Sequence, residues 1–373
     1  MSAVRPVQHE ARALVLTGSR RLEERRLAWP PPASDTGLLR VEACGLCGTD
    51  HEQYTGVIAA PFAFIPGHEI IGTVERLGDR ARSRWNVEVG DRVAVEVFQS
   101  CGRCAACVRG EYRRCSVHGM ATMYGFVDVE HGSGLWGGYA THLDLGPDAL
   151  VLPVPDTLDP VMATLFNPVG AGVRWGATLA GTAPGDVVAV LGPGIRGLAV
   201  AAAAKDAGAD FVMVTGVGPR DAARLAVAAR FGADLTVDVS VDDPRRRLLE
   251  ATGTLASVVV DVTAKAPSAF AQAVSLAGTG ARVVVAGTRG SGGAPGFEPD
   301  HLVYKELTVI GSLGVDAPAY RRALELLAAD RWPFDQLDRR VVGLDGLDGL
   351  LRSMAGDEGA EVPPIHGVVV PTR

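Results

Sequence analysis

Short apolar runs broken by glycine and proline fill the first third of the chain. Residues 38–43, 70–74 and 92–97 alternate apolar and polar positions closely enough to predict strands of an antiparallel β domain. Near Pro184 the texture changes. Strand-like and helix-like segments then take turns: 186–191, 195–207, 211–215, 220–231, 257–262, 268–277 and 281–286. That βαβ rhythm predicts a doubly wound parallel sheet. Its strands are almost wholly apolar, as they must be when helices cover both faces. Leu324, Leu327 and Ala328 fall at helical spacing in a last helix over 319–329. Residues 341–370 return to short β-like runs. The alanine-rich stretch 199–204 reads as a closely packed core helix.

The chain has 373 residues, which favours two domains over one. That length also buries enough surface to fold without staples. Apolar residues at 47% and charged residues at 21% describe an ordinary globular protein. A net charge of −7 with no basic stripe argues against a nucleic-acid partner. The run Arg245-Arg246-Arg247 lies beside Asp242 and Asp243 and reads as a solvated helix start. No stretch approaches the ~18 consecutive apolar residues of a membrane span. Residues 1–12 mix charge and proline and lack a signal peptide's apolar core. The expectation is a soluble, cytoplasmic protein with no membrane partner.

All six cysteines fall between Cys44 and Cys115. Disulfide scaffolds are short, secreted and cysteine-dense, so crowding into one segment of a long chain points to metal instead. Cys101, Cys104, Cys107 and Cys115 give the spacing C-x2-C-x2-C-x7-C. Four thiolates in one short lobe can close a tetrahedral zinc site with no open position, so this site is expected to be structural. A redox pair is a poorer reading, because such a C-x-x-C belongs to a βαβ context that this segment lacks.

A second motif opens the alternating half. The predicted strand over 187–191 runs into Gly192-Pro193-Gly194-Ile195-Arg196-Gly197 and then a helix. A glycine motif between an apolar strand and a helix predicts a dinucleotide site. The glycines allow a tight turn and close approach of the pyrophosphate, which sits at the helix N-terminus. The next strand ends at Thr215-Gly216 without the acid that usually reads the ribose of NAD. Arg220 and Arg224 follow, with Asp221 between them. A missing acid plus nearby arginine favours NADP over NAD. Asp221 has a second reading as a helix cap.

These motifs stand in one order: Gly67-His68-Glu69, then Val89-Gly90-Asp91-Arg92-Val93, then the four-cysteine lobe, then the dinucleotide half. The chain thereby resembles the zinc-containing alcohol dehydrogenases of the medium-chain dehydrogenase/reductase superfamily, over nearly its whole length. The resemblance implies an α/β architecture: a GroES-like, β-rich catalytic domain from residues 1–170 and 327–373, with the zinc lobe at 98–118, and a Rossmann-type domain over 171–326. It implies structural zinc on Cys101, Cys104, Cys107 and Cys115. Cys47 in Cys44-Gly45-Leu46-Cys47 and His68 match two ligands of a catalytic zinc. The third position falls at Asn167, where relatives carry Glu, Asp or Cys, so either Glu69 or Asn167 is expected to complete the set. By the same resemblance Thr49 handles the substrate proton, and Asp50 holds the free ring nitrogen of His68. The proton relay falls on His51 or Glu52. Tyr54, Trp136 and the segment 311–315 are expected along the substrate cleft. Cofactor contacts are expected from Gly192, Gly194, Ile195, Arg196, Gly197, Thr215, Gly216 and Arg220.

The implied activity is hydride transfer between NAD(P) and a secondary or cyclic alcohol or its ketone, by a homodimer or homotetramer. Two rivals remain: a zinc-free quinone or enoyl reductase of the same superfamily, and a non-catalytic dinucleotide-binding protein with structural zinc alone.

Overall fold

The computed structural model describes residues 9–289 and 293–373. The chain forms two compact units. One runs to Leu165 and resumes over Asp335–Arg373, and the other is Phe166–Phe334.

The first unit is β-rich. Strands β1 (Glu10–Gly18) and β2 (Arg21–Ala28) form an antiparallel hairpin. Then come β3 (Gly37–Gly45), β4 (Glu69–Leu77), β5 (Arg92–Val95), β6 (His142–Leu145) and β7 (Val151–Pro153). A seven-stranded sheet takes the order β14-β15-β3-β4-β5-β7, with β6 also on β3, where β14 is Arg339–Val342 and β15 is His366–Val369. Strand β15 is therefore an interior strand of this sheet, between β14 and β3. Val368 and Val369 face Gly45 and Cys44 in antiparallel register. Ile70, Leu39, Val41, Val93, Leu143 and the rings of Tyr124 and Tyr139 fill the core.

The second unit is a six-stranded parallel sheet in the order β10-β9-β8-β11-β12-β13. Its strands are β8 (Val187–Leu191), β9 (Phe211–Gly216), β10 (Leu235–Asp238), β11 (Ala256–Asp261), β12 (Ala277–Val285) and β13 (Thr308–Gly311). Every pairing is parallel. The central strands β8 and β11 are all but sealed from water, and the apolar pattern picks out both. The outer strands β10 and β13 escape that pattern, because half or more of their side chains are exposed or half-exposed. Among the described residues, no helix is long and apolar enough to cross a membrane.

Candidate metal centres and dinucleotide site

The segment after β3 turns sharply at Cys47, which caps the helix Gly48–Tyr54. The Cys47 sulfur accepts the Thr49 N–H at 3.5 Å, and the Thr49 hydroxyl stands 3.5 Å from the same sulfur. Asp50 answers from the helix. Its Oδ2 accepts the Cys47 N–H at 2.7 Å and its Oδ1 accepts the Gly67 N–H at 3.2 Å. One buried carboxylate thus ties together the turns that carry Cys47 and His68. The same Oδ1 lies 3.6 Å from Nδ1 of His68, a buried nitrogen with no hydrogen-bond partner. Burial opposes a charged imidazole, but Asp50 and then Cys47 outweigh it and raise the His68 pKa to about 9.

Glu69 opens β4 opposite Gly45. A Cβ added at Gly45 would stand 2.5 Å from Glu69 Oε2, so the glycine leaves the room this carboxylate occupies. The donor atoms of Cys47, His68 and Glu69 all lie within 4.8 Å of one another, and all three residues are buried. Thiolate, imidazole and carboxylate suit zinc, and three protein donors leave a fourth position open for a reacting oxygen. The residues present therefore fit a catalytic zinc.

The four cysteines converge as well. Cys101, Cys104, Cys107 and Cys115 present sulfurs within 4.8 Å of one another. Two of the pairs stand 3.8 and 3.9 Å apart, as free thiols. A tetrahedron with Zn–S near 2.3 Å has edges of about 3.8 Å. Backbone N–H groups already point at two of the sulfurs, from Cys104 to Cys101 and from Cys107 to Cys104, each at 3.4 Å. The Cys107 N–H, and then that of Ser116, pull the Cys104 thiol down to about 5, which favours the ligating thiolate.

Asn167 behaves differently. It lies in the other unit, buried on the helix Phe166–Gly172. Its amide nitrogen donates to the Tyr320 hydroxyl at 2.9 Å, and its oxygen accepts from Arg196 at 3.3 Å. Both ends of the amide are in use. The tyrosine expected along a cleft, Tyr54, is buried, and its hydroxyl donates to Asp348 at 2.7 Å. Trp136 is half-buried and donates to the His131 carbonyl at 2.7 Å. His51 is half-exposed and Glu52 buried on the same helix.

In the second unit β8 ends at Leu191 and Gly192 turns with φ +102°. The helix Ile195–Asp206 begins after Gly194. A Cβ at Gly197 would stand 1.8 Å from the Gly192 carbonyl oxygen, so that turn tolerates no side chain. A Cβ at Gly194 would meet nothing within 4 Å. The open face at the helix N-terminus is what a pyrophosphate needs. At the end of β9, Thr215 accepts the Gly192 N–H through its carbonyl. Asp221 is spent on its own helix start, where it accepts the Val217 N–H at 2.9 Å and pairs with Arg224 at 3.1 Å. The Arg220 side chain is 79% exposed.

Two residues near these sites escape a reading by motif. Tyr139 packs its ring against Gly67, where a Cβ would stand 2.9 Å away, and burial, then Asp50, hold its phenol well above the usual range. Asp261 ends β11 fully buried, accepts the Thr263 N–H at 3.0 Å and pairs with Arg289. Thr263 in turn backs Gly192. An acid closing an otherwise apolar strand is the signal that could have found it.

Residues 33–156 match the alcohol dehydrogenase GroES-like domain, and residues 197–329 match the zinc-binding dehydrogenase domain. A protein of Mycobacterium tuberculosis named as a probable alcohol dehydrogenase is 64% identical over 361 residues, covering 96% of this chain and 98% of that one. Sorbitol dehydrogenase of Bacillus subtilis is 34% identical over 210 residues, covering 54% of this chain and 55% of that one. Among solved structures, a chain of Sinorhizobium meliloti 1021 assigned as a zinc-binding dehydrogenase and bound to NADP superposes with a TM-score of 0.83. It is 28% identical and covers 98% of this chain and 100% of its own length. With both domain models matched in order and a relative this similar along almost its entire length, the chain belongs to the zinc-containing alcohol dehydrogenases of the medium-chain dehydrogenase/reductase superfamily.

Proposed function

We propose that this protein transfers hydride between NADP and a secondary or cyclic alcohol, or the corresponding ketone. The observation that carries this reading is the convergence of Cys47, His68 and Glu69 within 4.8 Å, with the Thr49 hydroxyl 3.5 Å from the Cys47 sulfur. Cys47, His68 and Glu69 would hold catalytic zinc, and Cys101, Cys104, Cys107 and Cys115 structural zinc. Glu69 is preferred to Asn167 as third ligand, because the Asn167 amide already serves Tyr320 and Arg196. When bound, zinc supplies Lewis acidity at the substrate oxygen and the nicotinamide supplies the hydride acceptor or donor.

The chain's own residues do the rest. Thr49 takes the hydrogen bond of the substrate hydroxyl and passes its proton outward. Asp50 fixes the Cys47 and Gly67 turns and faces Nδ1 of His68, which sets the ring's orientation. Gly192, Gly194, Ile195, Arg196 and Gly197 form the phosphate turn, with Thr215 and Gly216 beside the adenosine ribose. The preference for NADP rests on Arg220, exposed after β9 where no acid ends the strand. The relative of known structure bound to NADP supports the same cofactor. Residues 1–170 and 327–373 are assigned as the catalytic domain and 171–326 as the dinucleotide domain. The protein is a homo-oligomer in this reading, because Val309 on the edge strand β13 is exposed, as are Val303 and Tyr304. A cytoplasmic setting, which keeps thiols reduced, suits its free cysteines.

The test is growth of reduced-nicotinamide absorbance with a panel of secondary and cyclic alcohols, using NADP and NAD in parallel. Turnover that needs zinc and fails in Cys47→Ser is expected. Full activity in Cys47→Ser would overturn the reading.

A further inference from the structure

The buried Asp50 carboxylate accepts two backbone N–H groups, from Cys47 on Oδ2 and from Gly67 on Oδ1. Nδ1 of His68 faces Oδ1 at 3.6 Å. A carboxylate offers about four lone-pair sites, two on each oxygen. These three donors therefore leave one site on Oδ2 unused. Hydrogen bonds to a buried carboxylate are strong, and a buried donor without an acceptor is costly, so an unmatched donor beside such a site has its acceptor at hand.

Tyr139 carries that donor. Its hydroxyl is buried and unmatched, as is Nδ1 of His68. The backbone decides where the ring points. The Tyr139 N–H donates to the Pro66 carbonyl at 3.1 Å, and its carbonyl accepts the Leu14 N–H at 2.9 Å. Gly138 before it donates to the Gly67 carbonyl at 2.8 Å. A Cβ at Gly67 would stand 2.9 Å from Cδ1 and Cε1 of the ring, so the ring lies against the residue whose N–H Asp50 holds. Of the ionisable groups around the phenol, Asp50 acts on it most strongly, ahead of Cys44 and Glu69. A phenylalanine would fill the same space against Gly67. The hydroxyl is what needs a reason, because a buried polar group without a partner destabilises the fold.

We propose that the Tyr139 hydroxyl donates to Asp50 and makes Tyr139 a positioning residue of the catalytic metal centre. With a fourth donor in place the carboxylate cannot turn, and Oδ1 stays aimed at Nδ1 of His68. That keeps the ring's proton on Nδ1 and leaves Nε2 for the metal. The inference rests on the proposed site of Cys47, His68 and Glu69, and it assigns Tyr139 no contact with substrate.

The experiment is zinc affinity of the full-length protein, measured by competition with a chelator of known strength. The ion at this site is identified as the one missing from Cys47→Ser. Tyr139→Phe is expected to weaken zinc there about tenfold, while the zinc of the four cysteines is held as before. A merely structural phenol predicts the opposite pattern. Deleting a buried hydroxyl that pairs with nothing would leave zinc affinity unchanged and the melting temperature equal or higher. Replacing Tyr139 with 4-fluorophenylalanine, which fills the volume of the hydroxyl without a donor, is expected to match Tyr139→Phe. It also decides the question should Tyr139→Phe fail to fold. Unchanged zinc affinity in either folded variant would overturn the inference, and so would an equal loss at the four-cysteine site. A Cys47→Ser protein that keeps all its zinc would count against the metal centre itself, which is a distinct outcome.

Discussion

Thr164 and His366 are 202 residues apart in the chain and meet through a 3.0 Å hydrogen bond between Oγ1 and Nε2. Arg339 donates to the other ring nitrogen at 2.9 Å, so His366 is neutral and donates through Nε2. Burial, then the Arg339 charge, lower its pKa from 6.5 to about 3. A depressed pKa contributes stability that is present above pH 6.5 and is lost as pH falls toward 3, because the unfolded chain takes up the proton first. The loss is on the order of 5 kcal/mol over that window. Urea midpoints measured from pH 7 to 4 should fall, and the slope should flatten in His366→Gln, which will also be less stable at pH 8. An equal slope in the variant would show that His366 is not the group responsible.

Glu96 works with the opposite sign. It is fully buried on the strand side of the cysteine lobe, where it meets the Tyr112 hydroxyl and accepts the Phe98 N–H at 3.3 Å. Burial pushes its carboxyl from 4.5 up to about 7. The folded state keeps this proton where the unfolded state has lost it. The contribution is complete below pH 4.5 and lost as pH rises through 7. Glu96→Gln should therefore stabilise the protein at pH 8 by about 3 kcal/mol and change little at pH 4.5. Thermal melts at the two pH values check this, and equal shifts at both would refute it.

The two metal sites should separate in their consequences. Cys104→Ser removes a ligand from a closed set whose assembly is part of folding. The melting temperature should drop by roughly 10 °C or more, with one zinc per chain lost on elemental analysis. Glu69→Gln should lower zinc at the other site and depress turnover, with little change in melting temperature. Identical melting behaviour in the two variants would mean that the sites do not divide into structural and catalytic.

Two glycines of the phosphate turn should fail in different ways. A methyl group at Gly197 meets a carbonyl oxygen at 1.8 Å, so Gly197→Ala should unfold or distort the turn. At Gly194 the same methyl group enters open space. Gly194→Ala should melt like the unmodified protein and yet bind dinucleotide about tenfold more weakly, by ~1.4 kcal/mol. Calorimetry and fluorescence titration separate stability from affinity. A Gly194→Ala protein with normal affinity would move the phosphate elsewhere.

Much of this was legible in the chain itself. The inner strands β8, β9 and β11, and the end of β12 from Ala281, announce themselves because burial on both faces favours continuous apolar runs. β2 does not, since Arg21, Glu23, Glu24, Arg25 and Arg26 give it the look of a charged loop, and its pairing with β1 is what makes it a strand. Cysteine spacing predicted a lobe whose four sulfurs do converge. Spacing could not choose between Glu69 and Asn167 as third ligand. The preference for Glu69 proposed above rests on Tyr320 and Arg196, which lie far from Asn167 in sequence and reach it only through the fold. Tyr54 likewise belongs by motif to a cleft and by hydrogen bonding to Asp348, 294 residues away.

The position of β15 bears on how the protein is made. Val368 and Val369 pair with β3, the strand that leads into Cys47, and also with β14. The first unit therefore lacks an interior strand until residues 366–369 have been added. The second unit, Phe166–Phe334, is complete before that strand is synthesised. At roughly 5–20 residues per second, β15 follows it by a few seconds. During that interval the nascent chain carries a finished parallel sheet and an antiparallel sheet with a gap next to β3, and a chaperone that guards unpaired strand edges would find its client there.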